Sequence, residues 1–103
     1  MLDCLKTIQA YTGLLPMADL LASGLHKDAI IRNFEVLGEA ANKVPEAIRQ
    51  MAPDIPWQQM VSLRNRLIHE YHGIDWDILL PVILEDVPRV ETLLQQVRQQ
   101  LPR

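Results

Sequence analysis

Cysteine, glycine and aromatic residues are all scarce in this chain of 103 residues. Its single cysteine, Cys4, leaves no partner for an internal disulfide bond, so a reducing cytoplasm is the expected compartment. No apolar run approaches the roughly 18 residues that a membrane-spanning helix needs, and no signal peptide pattern stands at the start. These absences predict a soluble, cytoplasmic protein.

The residues that are abundant favour helix. Aromatic residues make up only 5% of the chain, and leucine, alanine, glutamine and glutamate are common. The four glycines are isolated, so no glycine-rich nucleotide-binding loop is present. The net charge of −3 argues against non-specific coating of nucleic acid, although it allows a small basic site. This length predicts one domain, over residues 1–103.

Apolar residues spaced by three and four predict a series of amphipathic helices. The expected ranges are Leu2 to about Gly13, a short turn over Met17–Ala22, about Lys27–Lys43, Glu46–Met51 and Trp57–Gly73. Asp75 suits the N-cap of a last helix whose apolar seam runs from Trp76 to Leu101. Pro88 lies within that seam and is expected to kink or split the helix. Short connections then predict an all-α, antiparallel bundle of four to five helices.

The chemically richest stretch runs from Arg64 to Tyr71, with the sequence Arg-Asn-Arg-Leu-Ile-His-Glu-Tyr. Arg64 falls near the centre of an apolar helix face formed by Trp57, Met60, Val61, Leu67, Ile68 and Tyr71. A charge there is costly to bury, so Arg64 needs a carboxylate such as Glu39, a ligand or a second subunit. His69 lies about 140° from Arg64 around the helix. Either the last turn loosens, or two chains of a symmetric dimer supply the two groups.

Simpler roles for these residues stay open at this point. Arg64 could extend to solvent for purely structural reasons, and a lone His69 at a helix end is commonly a capping or solvated residue. A metal site is disfavoured, because His69 and His72 are too close in sequence for the His-Glu-x-x-His pattern. Neither serine, nor Cys4, lies in a nucleophile-elbow context. A DNA-recognition helix would need more basic residues than Arg64 and Arg66.

The run from Arg64 to Tyr71 resembles the Arg-x4-His-x-Tyr signature of the HEPN superfamily, in its HepT-like toxin branch. Other segments that resemble phrases of that branch follow in the same order along nearly the whole chain: 31–35, 38–41, 55–57, 71–75 and 85–88. The resemblance implies a helical-bundle homodimer that acts as a metal-independent endoribonuclease without a cofactor. It further implies that the protein is the toxin of a type VII-like toxin–antitoxin pair. Such a toxin is silenced when a cognate minimal nucleotidyltransferase adenylylates the motif tyrosine.

The resemblance assigns catalytic roles, by position, to Arg64, Asn65 and His69. It assigns adenylylation to Tyr71. A wider positive patch for the RNA substrate would add Arg32, Arg66 and His72. RNA carries its own nucleophile, the 2′-hydroxyl group, so a histidine and an arginine suffice for this chemistry without a metal. The alternative hypothesis is a non-catalytic helical module that binds a nucleotidyltransferase or nucleic acid, and a third makes the chain chiefly a substrate for adenylylation.

Overall fold

The computed structural model describes residues 1–13, 16–69 and 74–100, and within these ranges the chain is helical with no β-strand. The helices are α1 (Leu2–Gly13), α2 (Met17–Ala22), α3 (Gly24–Asn42), α4 (Glu46–Met51), α5 (Trp57–His69), α6 (Trp76–Pro81) and α7 (Val87–Gln100). One π-helical turn, Val82–Asp86, joins α6 to α7, so these three segments form one long helix. The all-α prediction is confirmed, with four long helical stretches and two short helices in the described part of the chain.

Helix α3 lies at the centre of the bundle and packs against α1 on one side and α5 on the other. Ala40 and Lys43, near the end of α3, line the same pocket as Trp57, the first residue of α5, so these two helices are antiparallel. Helix α1 also packs against α7, where Gln9 donates a hydrogen bond to Glu91. The motif helix α5 is therefore held mainly by α3.

Local capping explains where α3 begins and ends. Ser23 is its N-cap and its hydroxyl oxygen accepts a hydrogen bond from the backbone N–H of His26, so α3 starts at Gly24, three residues before the predicted Lys27. At the other end, the guanidinium of Arg49 donates to the carbonyl oxygens of Ala41 (2.7 Å) and Val44 (3.2 Å). These bonds tie α4 to the end of α3 and to the residue that follows its C-cap.

The last helix is irregular at the π turn, which ends two residues before Pro88. The N–H of Val87 bonds to the carbonyl of Val82, five residues back, which is the π-helical pattern. A π turn accommodates a proline, because the backbone is already wider where the proline N–H is missing. The extra residue in that turn changes the phase of the seam, so Leu79 is buried and the predicted Leu80 only half-buried. The predicted seam is buried at Ile83 within the π turn and at Val87, Val90, Leu94 and Val97 after it.

One apolar core joins all the long helices. Its most deeply buried side chains are Leu5, Ile8, Leu20, Ile30, Ile55 and Ile83. Asn33, predicted to be a buried amide in need of a partner, is half-buried and donates to the carbonyl of Ala29 at 2.8 Å. Among the described helices, none has both the length and the apolar character required to cross a membrane.

The N-cap of α6 provides a test of local stability. The carboxylate of Asp75 accepts a hydrogen bond from the backbone N–H of Asp77 at 2.9 Å. We expect Asp75→Ala to lower the free energy of unfolding by about 1 kcal/mol, because an orphan N–H loses its acceptor. Urea denaturation at a fixed protein concentration measures the change. Asp75→Asn keeps an acceptor oxygen and should stay within a few tenths of a kcal/mol of the original; equal losses for both variants would contradict the capping role.

Candidate functional site

The site is built on α5, whose sequence carries two arginines, a histidine in its last turn and no carboxylate. In a chain with a net charge of −3, this helix is a local concentration of positive charge. Arg66 and His69 both lie in the final turn, where the negative end of the helix dipole favours cations. The arrangement suits a phosphate-bearing ligand.

Arg64 is positioned by a close approach between α3 and α5. Its Cβ lies over Gly38 of α3, so near that a Cβ built on Gly38 would be 2.3 Å away and 2.8 Å from the carbonyl oxygen of Met60. Gly38 is buried, whereas Arg64 is half-buried. The stem of the arginine thus crosses the contact between the two helices, and its guanidinium leaves the core at the edge.

The polar contacts of Arg64 lie on its own helix. Its Nη1 atom donates to the side-chain oxygen of Asn65 at 2.9 Å, while its Nε atom is buried and has no hydrogen-bond partner among the described residues. The suggested ion pair with Glu39 is wrong, because Glu39 is exposed and pairs with Lys43, four residues along, at 3.6 Å. A buried donor without an acceptor is unfavourable, so the described residues leave the guanidinium of Arg64 incompletely hydrogen-bonded.

His69 is exposed at the end of α5. Because α5 is α-helical through His69, the helix does not loosen between Arg64 and His69, and the angular separation of about 140° stands. Ile68, predicted on the apolar face, is instead 44% exposed, since no helix in the described part of the chain covers that end of the face. Tyr71 and His72 lie outside the described residues.

Arg32 and Arg66, the two arginines predicted to contact RNA, lie on two different helices. Arg32 is exposed on α3, and because α3 and α5 are antiparallel, it lies level with the last turn of α5. Arg66 lines a groove of about 330 Å³ between α5 and the last helix, to which α3 also contributes Phe34 and Leu37. We call this the α5–α6 groove; its apolar lining includes Leu5, Phe34, Leu63, Ile78 and Val82. Arg64 and Arg66 are two residues apart on a regular helix, which places them about 160° apart around its axis, so they do not share one surface.

Gly38 is the site residue whose role the sequence did not indicate. A glycine inside a helix is less favourable than alanine by about 0.5–1 kcal/mol, and such a residue signals a close approach of backbones when nothing else requires it. In the sequence, the segment from Gly38 to Ala41 is informative only through its resemblance to the HepT-like branch. Its spatial partner on α5 could not be identified without the fold.

Comparisons with known proteins place the chain in a family. Residues 1–97 match the model of the family described as "HepT-like: Ribonuclease HepT-like". The chain belongs to the HepT-like ribonuclease family. This confirms the resemblance to the HepT-like branch that the motif and the flanking segments indicated.

Several relatives with similar sequences carry names that describe them as ribonucleases. The chain is 30% identical over 96 residues to "Probable ribonuclease HepT" of Thermococcus cleftensis, covering 93% of this chain and 87% of the relative. It is 32% identical over 97 residues to "Putative RNase TTE0752" of Caldanaerobacter subterraneus subsp. tengcongensis, covering 94% and 86%. With "Putative RNase MJ1380" of Methanocaldococcus jannaschii it shares 44% identity over 63 residues, which is 61% of this chain and 58% of that one. No solved structure matches the chain significantly.

Proposed function

We propose that this protein is a metal-independent endoribonuclease that acts as the toxin of a type VII-like toxin–antitoxin system in the cytoplasm. The observation that carries the proposal is Arg64, fixed between two helices with a buried Nε atom that has no hydrogen-bond partner among the described residues, on a helix without carboxylates. Membership of the HepT-like ribonuclease family supports RNA as the substrate. Arg64, Asn65 and His69 are the proposed catalytic residues.

The proposed chemistry uses the nucleophile that RNA already carries. The 2′-hydroxyl group attacks the adjacent phosphorus, the O5′–P bond breaks, and a 2′,3′-cyclic phosphate and a 5′-hydroxyl end are formed. His69 moves a proton to or from the reacting oxygens. Arg64 stabilises the negative charge on the phosphorane, and Asn65 orients the guanidinium through the bond to Nη1.

A composite site in a homodimer reconciles the directions of the two catalytic side chains. Arg64 and His69 point about 140° apart on a regular helix, so one chain does not direct both at a single phosphate. A two-fold axis near the end of α5 brings Arg64 of one protomer towards His69 of its partner. The exposed Ile68 lies between them in sequence and is available to such an interface.

Mixing two inactive variants should restore activity if the site is shared. We expect Arg64→Ala and His69→Ala to be nearly inactive alone. In their heterodimer one of the two sites has both groups intact, so random co-refolding of equal amounts should recover about a quarter of the original activity. Cleavage of a labelled RNA in EDTA measures the recovery. Refolding each variant with itself is the control, and no recovery despite demonstrated heterodimers would contradict the shared site.

Regulation is proposed to occur at Tyr71. Within the proposed system, a cognate minimal nucleotidyltransferase antitoxin transfers adenylate from ATP to the Tyr71 hydroxyl group and releases pyrophosphate. The modification places a phosphodiester and a bulky base close in sequence to His69, where they compete with the RNA phosphate for the cationic groups. A neighbouring reading frame that encodes such a nucleotidyltransferase would support this assignment.

A non-catalytic interaction module is the second candidate, and the α5–α6 groove is the observation that favours it. Ile78 lines this groove and is 59% exposed, and Leu84 on the adjacent π turn is 57% exposed. Such a surface suits a protein partner. Intact RNA together with tight binding of the nucleotidyltransferase would favour this function, and adenylylation of a chain that never cleaves RNA would favour the third hypothesis, a modification substrate.

A further inference from the structure

Gly38 lies inside α3, four residues before its last residue, where a glycine weakens the helix. A left-handed backbone does not explain it, because no described glycine has a positive φ angle. The reason for a glycine at position 38 is therefore steric. The other described glycines differ, since a Cβ added to Gly13 or Gly24 would meet nothing within 4 Å.

The space beside Gly38 is occupied by atoms that cannot move away through rotation of a side chain. A Cβ there would lie 2.3 Å from the Cβ of Arg64, 3.0 Å from its Cγ and 2.8 Å from the carbonyl oxygen of Met60. The carbonyl and the Cβ are fixed by the backbone of α5, so rotation of a side chain relieves neither contact. Any larger residue at position 38 forces α3 and α5 apart.

We propose that Gly38 is a positioning residue for Arg64. By letting α5 approach α3, it buries the Nε atom and fixes where the guanidinium leaves the interface to meet the phosphate. This inference rests on the proposed function of Arg64 as the group that stabilises the phosphorane. Gly38 itself touches no substrate and acts only through the arginine stem. Because displacement of a catalytic group by about 1 Å can cost on the order of 100-fold in rate, the close contact is a determinant of activity.

The first test observes Arg64 directly and needs no RNA. In a ¹H–¹⁵N spectrum of arginine side chains, the Arg64 Nε–H signal is assigned by its loss in Arg64→Lys. We expect this proton to exchange with water at least about tenfold more slowly than that of the exposed Arg98, and Gly38→Ala to abolish most of the difference. Gly24→Ala, on the same helix, is the matched control and should leave the exchange rate unchanged.

The second test asks whether Gly38 acts through Arg64. We expect Gly38→Ala to lower kcat for RNA cleavage by about 10- to 100-fold, with KM within about threefold. Arg64→Ala keeps the Cβ, so the collision with a residue at position 38 persists while the guanidinium is gone. In that background, adding Gly38→Ala should change the residual single-turnover rate by less than about twofold.

The outcomes separate a positioning role from a general structural one. Equal losses of rate from Gly38→Ala in both backgrounds, or an Arg64 signal that is unchanged by Gly38→Ala, would overturn the proposal. If Gly38→Ala alone does not fold, Gly38→Ala with Arg64→Gly removes the Cβ at position 64 while the contact with the Met60 carbonyl remains, and should recover part of the helical circular dichroism; no recovery at all also overturns the proposal. If the original protein cleaves no RNA, the exchange measurement still decides whether Gly38 holds Arg64.

Discussion

His69→Ala is expected to slow RNA cleavage in the presence of EDTA by about 100- to 10,000-fold, the usual contribution of a positioned general acid or base. The imidazole is exposed at the end of α5, so its loss removes the proton transfer without opening a cavity in the core. Thermal unfolding of the variant should therefore match the original within the usual range for surface changes. Cleavage of a labelled RNA under single-turnover conditions measures the rate.

Two controls make this prediction sharp. Gln58→Ala changes an exposed residue in the first turn of the same helix, far from the motif, and should leave cleavage unchanged. The EDTA excludes cleavage by a contaminating metal-dependent nuclease. If the original protein does not cleave RNA under these conditions, or if His69→Ala cleaves at the same rate, the proposed ribonuclease function is wrong.

The sequence predicted most of the fold because its apolar periodicity and its turn signals agree. The short helix α4 has the predicted bounds, and α2 and the N-cap at Asp75 are where the pattern placed them. The start of α3 was misplaced because the hydroxyl cap at Ser23 outweighs weak apolar periodicity over Gly24 to His26. The phase change at Leu79 and Leu80 was not predictable, since a π turn adds a residue that a fixed repeat does not contain.

The candidate site was predicted in its chemistry but not in its surroundings. The conflict between a charged Arg64 and an apolar face was visible from spacing alone. Its resolution depends on Gly38, which lies 26 positions earlier and comes close only through the packing of α3 on α5. Glu39, the nearest carboxylate in sequence to Gly38, points to Lys43 instead, because neighbours four residues apart on a helix meet more easily than residues on two helices.

Adenylylation of Tyr71 is expected to abolish cleavage without unfolding the protein. The phosphodiester adds a negative charge two residues from His69 in sequence, and the adenine base adds bulk at the same position in the chain. We therefore expect cleavage by the modified protein to fall to the level of His69→Ala, with an unchanged helical circular dichroism spectrum. Coexpression with the cognate nucleotidyltransferase, followed by mass spectrometry, gives the modified protein and locates the adenylate.

Tyr71→Phe separates modification from catalysis, because it removes only the hydroxyl group that would accept the adenylate. The proposed cleavage chemistry uses Arg64, Asn65 and His69, so the phenylalanine variant should cleave RNA within a few fold of the original rate. It should also remain active, and toxic to its host cell, when the nucleotidyltransferase is present, whereas the original protein is silenced. Absence of adenylate on Tyr71 after coexpression would refute the proposed regulation. Silencing of Tyr71→Phe through modification of another residue would instead show that the inhibitory site lies elsewhere on the chain.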